Sequence, residues 1–61
     1  MNETMMGFPL TYETRLNRLF ETTIHEYRAK TVGYVSGWHP SRAAAREDLM
    51  QIIAADQGIA L

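Results

Sequence analysis

Two histidines and seven acidic residues are the side chains with the clearest potential for chemistry in this 61-residue sequence. Imidazole and carboxylate groups bind metals and transfer protons. His25-Glu26 matches the start of a zinc-binding helix motif, but that motif needs a second histidine where this chain has Ala29. His39 has no histidine or acidic residue at a metal-ligand spacing. We therefore predict no metal site and no cofactor.

Ser36 and Ser41 could each be combined with a histidine and an acid into a nucleophilic triad. A chain of this length cannot easily enclose a substrate pocket and an oxyanion hole, so we predict that the protein is not an enzyme. The segment Pro40-Ser41-Arg42 also lacks the Gly-Lys pair of a phosphate-binding loop. The remaining alternative at this segment is an anion held at a helix N-terminus by Ser41 and Arg42.

The basic residues are concentrated in the middle of the chain, although the formal net charge is only −1. They are Arg15, Arg18, Arg28, Lys30, Arg42 and Arg46. Lys and Arg side chains bind phosphates and give non-specific affinity for nucleic acid. No known nucleic-acid-binding motif accompanies them, and Glu21 and Glu26 interrupt the basic segment. Nucleic-acid binding through these six residues is therefore the alternative function.

An aromatic group, Tyr34, Trp38 and His39, lies in the glycine-containing segment 31–41. Aromatic residues in a joint between two helices usually hold the helices together. Tyr and Trp are also frequent hot spots of protein interfaces. The favoured interpretation is a structural joint between the helices, and contact with a protein partner through these three residues is the candidate functional site.

A helix predicted over residues 11–32 would position most of these side chains. Thr11 is suited to cap its start, and Gly33 is suited to end it in the left-handed conformation. Apolar and aromatic residues recur in it at steps of three and four, the spacing of one helix face: Tyr12, Leu16, Leu19, Phe20, Ile24 and Tyr27.

A second helix is predicted over residues 41–57. Ser41 is suited to cap its start, three consecutive alanines favour it, and Gly58 is suited to end it. The predicted fold is therefore all-α, a two-helix hairpin. One hairpin leaves part of each apolar stripe uncovered, so we predict that two copies form a four-helix bundle as a homodimer.

The segment 31–36 supports a different interpretation, because it is rich in β-branched and aromatic residues. A short strand there would make the fold α+β. An exposed sheet edge would then replace the helical stripe as the contact surface.

Residues 1–10 show no periodicity and are predicted to be a flexible arm, followed by a single domain over residues 11–61. Met1, Met5 and Met6 are all possible starts. The absence of cysteine fits a cytoplasmic protein, and no apolar run reaches the roughly 18 residues of a membrane span. We expect a small non-enzymatic interaction or regulatory protein that acts through self-association or through capture of a larger protein, and not at membranes.

Overall fold

The computed structural model describes residues 3–59 and shows a three-stranded antiparallel sheet packed against one helix, together with a small two-stranded sheet. Residues 1–2 of the predicted arm and residues 60–61 of the predicted domain lie outside this range. In chain order the elements are β1 (Thr4–Met5), β2 (Phe8–Pro9), β3 (Thr11–Leu19), β4 (Thr22–Thr31), β5 (Tyr34–Val35) and α1 (Arg42–Gln57). The prediction of an all-α two-helix hairpin is wrong, and the four-helix bundle built on it is wrong with it.

The predicted helix over residues 11–32 is instead the long hairpin of β3 and β4. The two strands pair antiparallel from Thr11 opposite Lys30 to Leu19 opposite Thr22. β-Branched residues around the turn favour strands, because their side chains are stiff and fit a pleated surface. Opposite charges also meet directly across the strands, with Glu13 facing Arg28. These cross-strand pairs stabilise the hairpin. The helical spacing is present only in the apolar residues, and it does not outweigh them.

The second predicted helix is present as α1. The Ser41 hydroxyl accepts a hydrogen bond from the Ala44 N–H at 3.1 Å, which caps the first turn. Gly58 has φ 71° and ends the helix in the left-handed conformation. α1 packs mainly against β4, and this contact supplies the core.

β5, the third strand of the sheet, is short. The chain after it continues beside β4 with irregular pairing. The Ser36 N–H donates to the Ala29 carbonyl at 2.9 Å, and His39 exchanges two main-chain hydrogen bonds with Tyr27 at 2.7 and 2.8 Å. From Ser36 to His39 the chain advances three residues, whereas β4 advances only two from Ala29 to Tyr27. The extra residue forms a β-bulge. The alternative of a short strand at 31–36 matches only Tyr34–Val35, because Thr31 ends β4 and residues 32–33 form the turn between the two strands. It also does not include the hairpin that makes up most of the sheet.

The buried core joins the sheet, the helix and the N-terminal segment. Residues 3–10 contain the β1–β2 hairpin, which turns at Met6 and Gly7 with φ 52° and 87°. The core consists of Met5, Leu10, Ala29, Ala45, Leu49 and Ile53. Two of these six residues precede β3, so the N-terminal segment contributes to the packing of the domain.

The two faces of the long hairpin have different surroundings. Ala29 and Tyr27 contact the core beneath α1, and side chains alternate along a strand. The odd-numbered residues of β4 and the even-numbered residues of β3 therefore lie on the helix side. The other residues of these strands form what we call the open face, which α1 does not cover.

Candidate functional site

The open face carries a cluster of charged residues around Trp38. The guanidinium carbon of Arg15 lies 4.3 Å from the centroid of the Trp38 ring, and that of Arg28 lies 4.8 Å from it. Both distances are within the range of a cation–π contact. Trp38 lies within the bulge, on the opposite face from His39, which is on the helix side. The cluster therefore spans all three strands of the sheet.

Each cation of this cluster also has a carboxylate partner. Arg15 Nε donates to Glu26 Oε1 at 2.8 Å, Arg28 donates to Glu13, and Lys30 Nζ lies 3.6 Å from Glu13 Oε2. The Arg28 hydrogen bond holds the pKa of Glu13 below its usual value. The open face thus combines three cations with two carboxylates, and it differs from a purely basic surface.

The six basic residues proposed for nucleic-acid contacts are divided between the two faces. Arg15, Arg28 and Lys30 lie on the open face, whereas Arg18 lies on the helix side of β3. The guanidinium carbon of Arg42 lies 5.4 Å from the Tyr12 ring centroid, and Arg46 is exposed on α1. The structure therefore brings only three of the six together.

The three residues proposed for partner contacts are likewise separated. The Tyr34 hydroxyl donates to Asp56 Oδ2 at 2.5 Å, which links β5 to the last turns of α1 and raises the pKa of Tyr34. His39 contacts α1 through Asp48, and Trp38 lies on the opposite face. Tyr34 and His39 thus have partners within the chain, as a structural joint would require.

Asp48 connects α1 to the bulge of the third strand. One carboxylate oxygen, Oδ2, lies 2.8 Å from His39 Nε2 and accepts the Gly37 N–H at 2.9 Å. The hydrogen bond with His39, followed by that from Gly37, lowers the pKa of Asp48. This arrangement fixes the bulge against the helix, and with it the position of Trp38.

The lowered pKa of Asp48 predicts a pH-dependent contribution to stability. Its folded-state pKa lies below the unfolded value of about 4, so the carboxylate stabilises the fold above that pH. The contribution is lost as the pH falls from about 5 through the folded-state pKa. In Asp48→Asn this acid-induced loss of stability should be smaller, by under about 1 kcal/mol, because solvent partly screens the pair. Urea unfolding at a series of pH values measures it. The control is Glu47→Gln, and equal pH slopes in Asp48→Asn and wild type would contradict the assignment.

The turn between β3 and β4 exposes a second candidate surface. Leu19 and Thr22 pair directly, so the loop contains only Phe20 and Glu21. Phe20 has φ 56° and is fully exposed, at 101 % of its reference area, while Leu19 beside it is half exposed. We call Leu19 and Phe20 the hairpin tip.

The conformation of Phe20 is unusual for its residue type. Two-residue hairpin loops with positive φ at the first central position normally have glycine there. A bulky residue with positive φ is strained, at a cost of about 1–3 kcal/mol. This loop gains nothing in stability from placing an aromatic side chain in water. Such local strain is commonly found at functional positions.

Residue types do not indicate a turn at the hairpin tip, since neither Phe20 nor Glu21 is a typical turn residue. The spacing of the apolar residues instead predicts Phe20 on one face of a helix. Within residues 3–59 no group of three or more His, Asp or Glu side chains is placed to hold a metal ion. No helix in the same range is long and apolar enough to cross a membrane.

The candidate surfaces of this chain are therefore the hairpin tip and the open face around Trp38. Comparison with protein-family models, with curated proteins and with solved structures finds no match for the chain, so both surfaces stand on their geometry alone.

Proposed function

We propose that this chain is a small non-enzymatic interaction protein and that the hairpin tip is its contact surface for a larger protein. The supporting observation is Phe20, a fully exposed aromatic residue held in a strained turn conformation. Aromatic side chains that enter a pocket on a partner account for much of the binding energy of protein interfaces. The absence of cysteine supports a cytoplasmic location for this role.

The surroundings of Phe20 suit a protein partner. Leu19 adds apolar area next to it, and Arg18 and Glu21 place opposite charges at its border. An apolar centre with a polar rim is the usual arrangement of a protein interface. The partner surface that fits is an apolar pocket wide enough for one aromatic ring.

Phe20→Gly tests the proposal because glycine suits the turn while lacking the side chain. We expect the free energy of unfolding to stay the same or rise by up to about 1 kcal/mol, since the positive φ no longer carries a steric cost. We expect the proteins captured by the wild-type chain from host extract to be lost with the variant. Thermal unfolding followed by circular dichroism measures the first effect, and quantitative mass spectrometry of the captured proteins measures the second.

The matched control is Val32→Thr, which removes an exposed apolar side chain at another turn of the same sheet. This control should capture the same proteins as the wild-type chain. If Phe20→Gly also captures the same set, the hairpin tip is not the contact surface and the proposal fails.

Nucleic-acid binding at the open face is the second candidate. It is favoured by the grouping of Arg15, Arg28 and Lys30 on one face, where their cations would contact phosphates. The carboxylates of Glu13 and Glu26 already pair with these cations, so we expect any binding to be weak. Fluorescence anisotropy with a generic single strand and a duplex measures it. Absence of binding at low salt, where the electrostatic attraction is strongest, would remove this candidate.

A further inference from the structure

The outer side of β3 is an unpaired sheet edge. β3 pairs with β4 on one side, and no other strand within residues 3–59 pairs with it on the other. The strand is nine residues long and contains neither proline nor a bulge. Proteins usually protect such edges, because the unpaired main-chain groups can bind another strand.

The groups at this edge follow from the pairing of the hairpin. The residues that flank a two-residue loop form a hydrogen-bonded pair, and such pairs alternate along an antiparallel ladder. Leu19 and the other odd-numbered residues of β3 therefore bond to β4. Tyr27, which lies opposite Thr14, directs its main-chain hydrogen bonds to His39 on the other side of β4. This agrees with a Thr14–Tyr27 pair that is not hydrogen-bonded. The groups free to bind a strand are the N–H and C=O groups of Tyr12, Thr14, Leu16 and Arg18.

We infer that two copies of this chain pair along their β3 edges, antiparallel, about a two-fold axis at Thr14. In this register the Thr14 residues of the two copies exchange main-chain hydrogen bonds. Tyr12 lies opposite Leu16 of the second copy, and Glu13 lies opposite Arg15 of the second copy. The two sheets join into one, with both helices on the same face.

Charge selects this register over its neighbours. A shift of two residues in one direction places Glu13 opposite Glu13 of the second copy. The same shift in the other direction places Arg15 opposite Arg15. Like charges directly across two strands are destabilising, whereas the Thr14-centred register contains two Glu13–Arg15 pairs. A shift of one residue would place the open face of one copy on the same side of the joined sheet as the helix side of the other copy. Antiparallel pairing about a two-fold axis does not permit this arrangement.

The apolar side chains of the helix side support the same register. Leu16 is 65 % exposed in a single copy and lies beyond the part of the hairpin that α1 covers. Pairing brings it beside the Tyr12 ring of the second copy, a favourable aromatic–aliphatic neighbour across strands. The contact is self-complementary, as a two-fold dimer requires.

A charge-swap experiment on the full chain tests the register. Glu13→Arg places two arginines opposite each other in both pairs, and Arg15→Glu places two glutamates there. Each variant alone should associate roughly tenfold or more weakly than the wild-type chain in sedimentation equilibrium. An equimolar mixture should restore dimers to the wild-type level, because each pair then joins opposite charges. Mixing cannot repair a defect within one chain, so restoration identifies the contact between copies. A monomeric wild-type chain, or a mixture that stays as weak as the single variants, overturns the inference.

Thr14→Cys provides an independent measurement if a charge variant does not fold. The chain has no cysteine, and hydrogen-bonded antiparallel pairs place their Cα atoms about 5.5 Å apart, within the range of a disulfide. Mild oxidation should link two copies of Thr14→Cys much faster than two copies of Thr23→Cys, an exposed threonine on β4. Equal rates overturn the inference. The inference does not depend on the proposed function, since Phe20→Gly should leave the dimer intact and should affect only partner capture.

Discussion

Leu49→Ala should lower the free energy of unfolding by about 2–5 kcal/mol, the largest effect expected of any single change discussed for this chain. Leu49 is fully buried, with 0 % of its surface exposed, at the contact between α1 and the sheet. Removal of its side chain loses the transfer energy of the buried carbons and leaves a cavity. A domain of 61 residues has a small core and little stability in reserve, so the variant should be partly unfolded near 37 °C.

Urea unfolding measures this prediction through a lower midpoint at an unchanged dependence on denaturant. The control is Val32→Ala, which shortens a side chain that is 70 % exposed and should change stability by less than about 0.5 kcal/mol. A loss for Leu49→Ala as small as that of the control would mean that α1 does not pack on the sheet in solution.

Ser36→Ala should cost about 1–3 kcal/mol, because it leaves a buried main-chain donor without an acceptor. The Ser36 side chain is at the bulge, where it accepts the Ala29 N–H at 2.8 Å and donates to the Gly37 carbonyl at 2.8 Å. Ala29 is fully buried, so water cannot replace the lost acceptor.

Hydrogen exchange identifies the cause of this loss. In Ser36→Ala the Ala29 amide should exchange faster relative to the Tyr27 amide, whose acceptor is the His39 carbonyl. The Tyr27 amide serves as the internal control within the same strand. Equal acceleration of both amides would indicate general destabilisation of the sheet and would contradict a specific role for the hydroxyl.

The part of the fold that could be predicted from the sequence is α1. Its signals are local: a hydroxyl at the cap, three alanines in the first turn and a glycine at the end. β3 and β4 lack an equally local signal, because their apolar residues are not confined to one face. Leu16 is exposed on the helix side, at the end of the hairpin that α1 does not cover, and Leu19 is exposed on the open face. The spacing of the apolar residues in β3 and β4 therefore resembles the spacing along one face of a helix.

The same difference in periodicity explains why the structure does not bring the six basic residues to one face. Arg15 and Arg18 would share one face of a helix, but a separation of three residues places them on opposite faces of a strand. The ion pairs of Arg15 with Glu26 and of Arg28 with Glu13 depend on the pairing of β3 with β4. Such contacts between distant positions cannot be found from spacing along a single sequence. Phe20 is a similar case, since its strain becomes visible only in the folded turn.

The composition of the core has a consequence for the order of events during protein synthesis. Met5 and Leu49 belong to one buried cluster although they are 44 positions apart in the sequence. A nascent chain that has reached His39 contains the complete sheet but none of the α1 side chains that cover it. The core therefore closes only after α1 has left the ribosome, and it closes through contacts that are distant in sequence. Until then the free β3 edge and the apolar helix side of the sheet are exposed together, which is the stage at which this chain is most prone to aggregate.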